Sequence, residues 1–219
     1  MSFGLKNVGS TYQRAMTTIF HDMMHIFMED YVDDILAKSH TWEEHLPILD
    51  KIFTHLKAFK DRLNPKKYAF GVKSSKLLGY IVSAKGIEVD PEKVQAIVTM
   101  QPPKNLSQLH SLQGRLQSVS RFISQLAEKC VPFTHLLHKD IIFKWDDQCQ
   151  KAFDLLKTYL MNPPVLVPPV SHKPLFLYIS LTKKSIGALL AQENDQGKER
   201  AIYYISHTLI NYELNYSFI

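Results

Sequence analysis

Cysteine is nearly missing from these 219 residues: Cys130 and Cys149 are the only two, and no metal-type spacing joins them. So sparse a set builds no disulfide framework and reads as two free thiols in a reducing compartment. Long apolar runs are lacking too, and none reaches the roughly 18 residues that a membrane span requires. The opening Met1-Ser2-Phe3-Gly4-Leu5-Lys6 lacks the basic-then-apolar layout of a secretory signal. An intracellular protein with no membrane partner is expected. There is no internal repeat and no low-complexity tract.

What is present is ordinary globular material, 45% hydrophobic and 21% charged, enough to fold around one or two cores. Lys plus Arg exceed Asp plus Glu by 26 to 21, a net charge of +5 that is compatible with a polyanionic partner.

Apolar spacing through Tyr12, Met16, Ile19, Phe20 and Met23 predicts a helix from about 10 to 24. Two short apolar runs then flank Asp33-Asp34 and predict a tight hairpin, because a buried strand interior would not hold adjacent charges. Thr41-Trp42-Glu43-Glu44 fits a capping box ahead of the next apolar face, and Pro47 should kink that helix or delay its start. Leu77 to Val82 and Ile87 to Val89 predict a hairpin closed by Ser83 to Gly86. Asp90-Pro91 is a helix start, and Pro102-Pro103 should stop that helix. Asn105 caps a longer one, so an all-helical unit is expected from about 90 to 138. A further helix follows Trp145. Val165-Leu166-Val167, bracketed by proline pairs, reads as a linker with edge-strand character, and strands are expected at Leu175 to Ile179 and Ala201 to Ile205.

Adjacent carboxylates on a hairpin tip repel unless a cation lies between them. Magnesium suits such a site, since it takes oxygen ligands and bridges carboxylates to phosphates. His21-Asp22-Met23-Met24-His25 imitates a zinc-protease helix, yet Asp replaces the required Glu and no third ligand is evident.

The segments Phe3-Gly4-Leu5-Lys6-Asn7, Tyr12-Gln13-Arg14-Ala15-Met16, Tyr31-Val32-Asp33-Asp34-Ile35-Leu36, Leu63-Asn64-Pro65-Lys66-Lys67 and Leu78-Gly79-Tyr80 occur in an informative order. In order and spacing they resemble the reverse transcriptase of gypsy-like LTR retrotransposon Pol polyproteins. The likeness runs on through Gly86-Ile87-Glu88-Val89, Arg121-Phe122-Ile123 and Phe143-Lys144-Trp145. It implies an α+β chain in four parts: a partial polymerase palm (1–89, antiparallel sheet with helices), a helical thumb (90–138), a connection (139–170) and an incomplete RNase H-like α/β segment (171–219).

The resemblance also implies roles. Asp33 and Asp34 would be catalytic carboxylates binding Mg2+ or Mn2+, the metal being expected only in the complete palm, with Tyr31 beside the primer end. Phe3, Gly4, Lys66 and Lys67 would meet the incoming dNTP. Lys6 and Gln13 would lie near the template, and Leu78, Gly79 and Tyr80 would form a primer grip. Gly114, Gln117, Ser118 and Arg121 would track the RNA/DNA template–primer; on physical grounds alone, Gly114 could equally serve a helix–helix contact. Ser180 stands where the family begins its RNase H metal site with Asp, so no nuclease activity is expected.

The family's third palm carboxylate lies on a strand before Phe3-Gly4, and Ser2 replaces the usual proline, so Met1 reads as an internal methionine. A polymerase segment dependent on the remaining Pol domains, and inactive alone, is therefore expected. The alternatives are a non-catalytic template–primer-binding module, motivated by Lys57, Lys60, Arg62, Lys66, Lys67, Lys73 and Lys76, or a retrotransposon remnant.

Overall fold

The computed structural model describes residues 4, 6–31, 34–138, 141–210 and 212–215. It divides into two compact units, Met1–Leu77 and Leu78–Ile219.

In the first unit, helix α1 (Val8–Ile19) buries Met16 and leads to Phe20, which is fully buried. The helix ends earlier than its apolar spacing predicts. Turns replace its last stretch, and His25, at φ +65°, reverses the chain into the next strand. Strands β1 (Met28–Tyr31) and β2 (Asp34–Ala37) pair antiparallel, Met28 with Ala37 through Tyr31 with Asp34. Helix α2 (Trp42–Ala58) begins where its capping box indicates, with Thr41 Oγ1 accepting from the Glu44 amide at 3.3 Å. Pro47 does not delay that start, because the cap fixes the first turn and proline removes only one later bond. Met16, Phe20, Met28, Ile48, Ile52 and Leu56 form the core of this unit. After the single turn Pro65–Lys67, strand β3 (Ser74–Leu77) closes it.

The second unit opens with a correction. Leu78 and Gly79 both adopt positive φ (+53° and +72°), so they form a turn rather than the expected strand. Strand β4 (Tyr80–Ser83) follows and pairs antiparallel with β5 (Gly86–Val89). Helix α3 (Pro91–Val98) is capped by Asp90 and stops at Thr99, ahead of the two prolines. Helix α4 (Leu106–Ser118) is capped by the side chain of Asn105. Its apolar face continues past the helix through a short turn that buries Val119, Phe122 and Ile123, and then into α5 (Leu126–Thr134). Helix α6 (Asp147–Met161) adds Phe153, Leu156 and Leu160 to the same core.

Val89 is buried in this core and Tyr80 and Ile87 pack on it, which is why the hairpin joins the helices and the unit begins ahead of Asp90. The proline-bracketed tripeptide is pinned instead of free. Ile87 and Leu166 exchange backbone hydrogen bonds of 2.7 and 3.0 Å, and the Val167 amide donates to the Ala201 carbonyl. Only glycine fits at residue 86, where a Cβ would fall 2.1 Å from the Leu166 carbonyl oxygen.

The last sheet is antiparallel, in the order β6 (Phe176–Leu181), β7 (Ser185–Glu193), β8 (Glu199–Thr208). Helical and antiparallel elements are thus segregated, as in an α+β fold.

Candidate functional site

The acidic turn is built by hairpin register. Tyr31 and Asp34 form the last pair of the β1–β2 ladder and so stand at its closed end. Tyr31 is 55% exposed, and the exposed Asp34 carboxylate has no hydrogen bond or ion pair to any described residue. An open carboxylate at a strand end is the donor type a hard divalent cation takes, so Asp34 fits as one ligand of such an ion. Val32 and Asp33 lie outside the described residues.

One residue before Tyr31, the same strand buries a carboxylate. Asp30 is 8% exposed; Gln13 of α1 donates through Nε2 to its Oδ2 at 2.9 Å and to its backbone carbonyl at 3.1 Å. Asp30 Oδ1 is buried without a partner. Burial pushes the Asp30 carboxyl above its ordinary value, and the Gln13 bond opposes that shift. Gln13, read from the sequence as a template neighbour, therefore also ties α1 to the strand carrying the acidic turn. Asp30 escaped the sequence reading, although strand alternation from Met28 places it on the buried face.

In the second unit, Leu78 is 46% exposed on its turn and Tyr80 is half-buried. The Tyr80 hydroxyl donates to the Ser118 carbonyl at 3.1 Å, and its ring packs 5.6 Å from that of Phe122. The Lys93 ammonium and the Arg121 guanidinium carbon stand 4.7 and 4.6 Å from the Tyr80 centroid. The structure thereby brings Gly79, Tyr80, Ser118 and Arg121 together, and adds Lys93, which no sequence motif marks. Along α4, Gly114 and Gln117 are exposed, and a Cβ at Gly114 would meet no atom within 4 Å. Among the described residues Gly114 therefore makes no helix–helix contact; it leaves a bare strip of backbone facing outward.

Other expected residues stand apart from these groupings. Phe3 lies outside the described residues, Gly4 has φ +93° with open space around it, and Lys6 is exposed. Lys66 and Lys67 are exposed on their turn, with the Lys66 amide held by Asn64 Oδ1. Ser180 pairs with Gly187 across the sheet, and its Oγ accepts from Gln125 Nε2 at 2.9 Å. His21 and His25 share no helix face, since α1 ends at Ile19; they contact Asp22 and Glu29 separately. Among the described residues no group of three metal-ligating side chains occurs.

Residues 1–82 match the family model of reverse transcriptase (RNA-dependent DNA polymerase), and residues 145–219 match the RNase H-like domain found in reverse transcriptase. The chain is 31% identical, over 230 residues, to the retrovirus-related Pol polyprotein from transposon opus of Drosophila melanogaster, covering all of this chain and 23% of that protein. It is 28% identical to the transposon Tf2-3 polyprotein of Schizosaccharomyces pombe, covering 99% of this chain and 16% of the other. The chain thus spans about a fifth of the length of these curated relatives. Its fold matches the foamy viral protease-reverse transcriptase in complex with dsDNA, with TM-score 0.84 and 22% identity over 99% of this chain and 45% of the other. The same viral protein in complex with RNA/DNA hybrid superposes with TM-score 0.82 at 22% identity, covering 99% of this chain and 29% of that one. With family matches at both ends and Pol-polyprotein similarity along its whole length, the chain belongs to the reverse transcriptase family of LTR retrotransposon Pol polyproteins.

Proposed function

We propose that this chain forms part of the palm (1–89), the thumb (90–138), the connection (139–170) and the start of the RNase H-like domain (171–219) of an RNA-directed DNA polymerase. The observation that carries the reading is the Tyr31–Asp34 closing pair, which sets an exposed carboxylate at the end of a two-stranded hairpin. Asp33 and Asp34 would hold Mg2+ or Mn2+; bound there, such ions activate an attacking hydroxyl and stabilise the leaving oxygen of nucleotidyl transfer. Tyr31 would border the primer end, with Phe3, Gly4, Lys66 and Lys67 toward the dNTP. Leu78, Gly79 and Tyr80 would position the primer, and Gln13, Lys6, Gly114, Gln117, Ser118 and Arg121 the template–primer.

The test is paramagnetic. Mn2+ added to isotope-labelled protein, with the complementary palm segment supplied, should broaden the amide signals of Tyr31 and Asp34 first. The double variant Asp33→Asn/Asp34→Asn should lose that selectivity. Broadening that spares the turn, or that survives the double variant, would contradict the metal assignment.

A second reading, nucleic-acid binding without catalysis, is favoured by the open backbone at Gly114 beside exposed Gln117. It predicts salt-dependent binding of an RNA–DNA duplex by a chain whose turn selects no metal.

A further inference from the structure

Tyr80 is where two cations meet. Lys93 Nζ and Arg121 Cζ lie 4.7 and 4.6 Å from its ring centroid, and Arg121 also stands 5.6 Å from the ring of Tyr203 on β8. An aromatic face attracts a cation through its quadrupole but carries no net charge, so the ring positions both groups without neutralising either. Among the described residues, neither Lys93 nor Arg121 forms an ion pair with a carboxylate. Two like charges on one ring add their fields, so an anion that meets either one is attracted by both.

The arrangement is supported from several elements. The ring is fixed by its hydroxyl bond to the Ser118 carbonyl and by Phe122. Lys93 lies in the first turn of α3, its amide bonded to the Asp90 carbonyl at 3.0 Å. Its side chain crosses the Leu78-Gly79 turn through space that glycine leaves, where a Cβ would sit 2.5 Å from Nζ. Arg121 comes from the short turn after α4, just beyond exposed Gln117.

We propose that Lys93 and Arg121, held on the ring of Tyr80, form a two-cation seat for one phosphodiester of a bound nucleic-acid strand. The inference rests on reading the second unit as a template–primer grip, and it adds Lys93 to that grip. A guanidinium offers paired N–H donors to two phosphate oxygens, and an ammonium adds a point charge to the same group. The strand's backbone, not its bases, is the ligand, so the seat is indifferent to sequence.

The test is duplex binding by the full chain, read by fluorescence anisotropy over a salt series. Each phosphate contact contributes about one unit to the slope of log affinity against log salt. Lys93→Gln should weaken binding and make the slope shallower by about 1. Lys93→Arg should keep the slope, as should Lys173→Gln, which removes a lysine already paired with Asp195. A Lys93→Gln slope equal to wild type, with duplex binding intact, would overturn the seat and leave the grip standing. No duplex binding by the wild-type chain would overturn both.

Discussion

The two units distribute their apolar residues differently. The second buries Phe122, Phe133 and Phe153 completely, in one core shared by all its helices. The first gathers a short set around Phe20 and Ile52 and leaves Trp42 and Leu46 63% exposed and Phe70 58% exposed. The candidate metal turn therefore sits on the thinner support, held by ladder register and by the Gln13–Asp30 tie. The candidate grip sits on the thicker one, where Tyr80 leans on buried Phe122 and Arg121 on the rings of Tyr80 and Tyr203. The difference teaches that grip residues should be sensitive to packing changes, and turn residues to changes of hydrogen bonding and charge.

The largest expected effect tests the depth of the two cores. Phe153→Ala should cost about 3–5 kcal/mol in urea unfolding, as full burial of a ring implies. Phe53→Ala, 38% exposed on α2, should cost well under half as much. Equal losses would break the comparison.

Two glycines should then respond with opposite signs. Gly79→Ala places a side chain at φ +72° and against Lys93, and should destabilise by about 1–2 kcal/mol. Gly114→Ala adds a methyl that meets nothing in a regular helix, and should stabilise by up to about 1 kcal/mol. Thermal melts of the two variants decide it; a stabilised Gly79→Ala would refute the turn geometry.

A smaller effect is set by pH. The Asp30 carboxyl is raised in the folded state, chiefly by burial, so the folded chain holds a proton that the unfolded chain releases near the ordinary value of 3.8. Its contribution is most favourable below 3.8 and is lost as pH rises through the raised folded value. Relative to Asp30→Asn, the wild-type melting temperature should therefore fall as pH rises through that window. A gap that is flat, or that closes with rising pH, would remove the buried-acid account.

The smallest response is expected from the thiols. Both cysteines are free and buried, and burial pushes the Cys130 thiol up to about 12. Neither should be alkylated at pH 8 until the chain is unfolded, whereas labelling at a free-thiol rate would mean an open second unit.

Local chemistry was legible in the sequence. Thr41, Asp90 and Asn105 cap the helices their side chains announce, and the acidic dipeptide does follow a strand that turns back on itself. Features that depend on distant partners were not legible. Leu78 reads as a strand residue by composition, yet takes positive φ in a turn crossed by a lysine from α3. The apolar spacing of α1 continues to Met23 because residues beyond the helix pack on the same core, so periodicity alone overran the helix end. Lys93 looks like any first-turn lysine; only folding brings it onto Tyr80.

The most direct test of this division is binding of one RNA–DNA duplex, without metal, to three proteins: wild type, Asp33→Asn/Asp34→Asn and Gly114→Glu. A Cβ at 114 meets no atom within 4 Å, so glutamate there should leave the fold intact while placing a negative charge on the exposed strip of α4. The account predicts wild-type affinity or better for the aspartate variant and at least about a tenfold loss for Gly114→Glu, equivalent to about 1.4 kcal/mol. Loss confined to the aspartate variant, with Gly114→Glu binding as tightly as wild type, would contradict it.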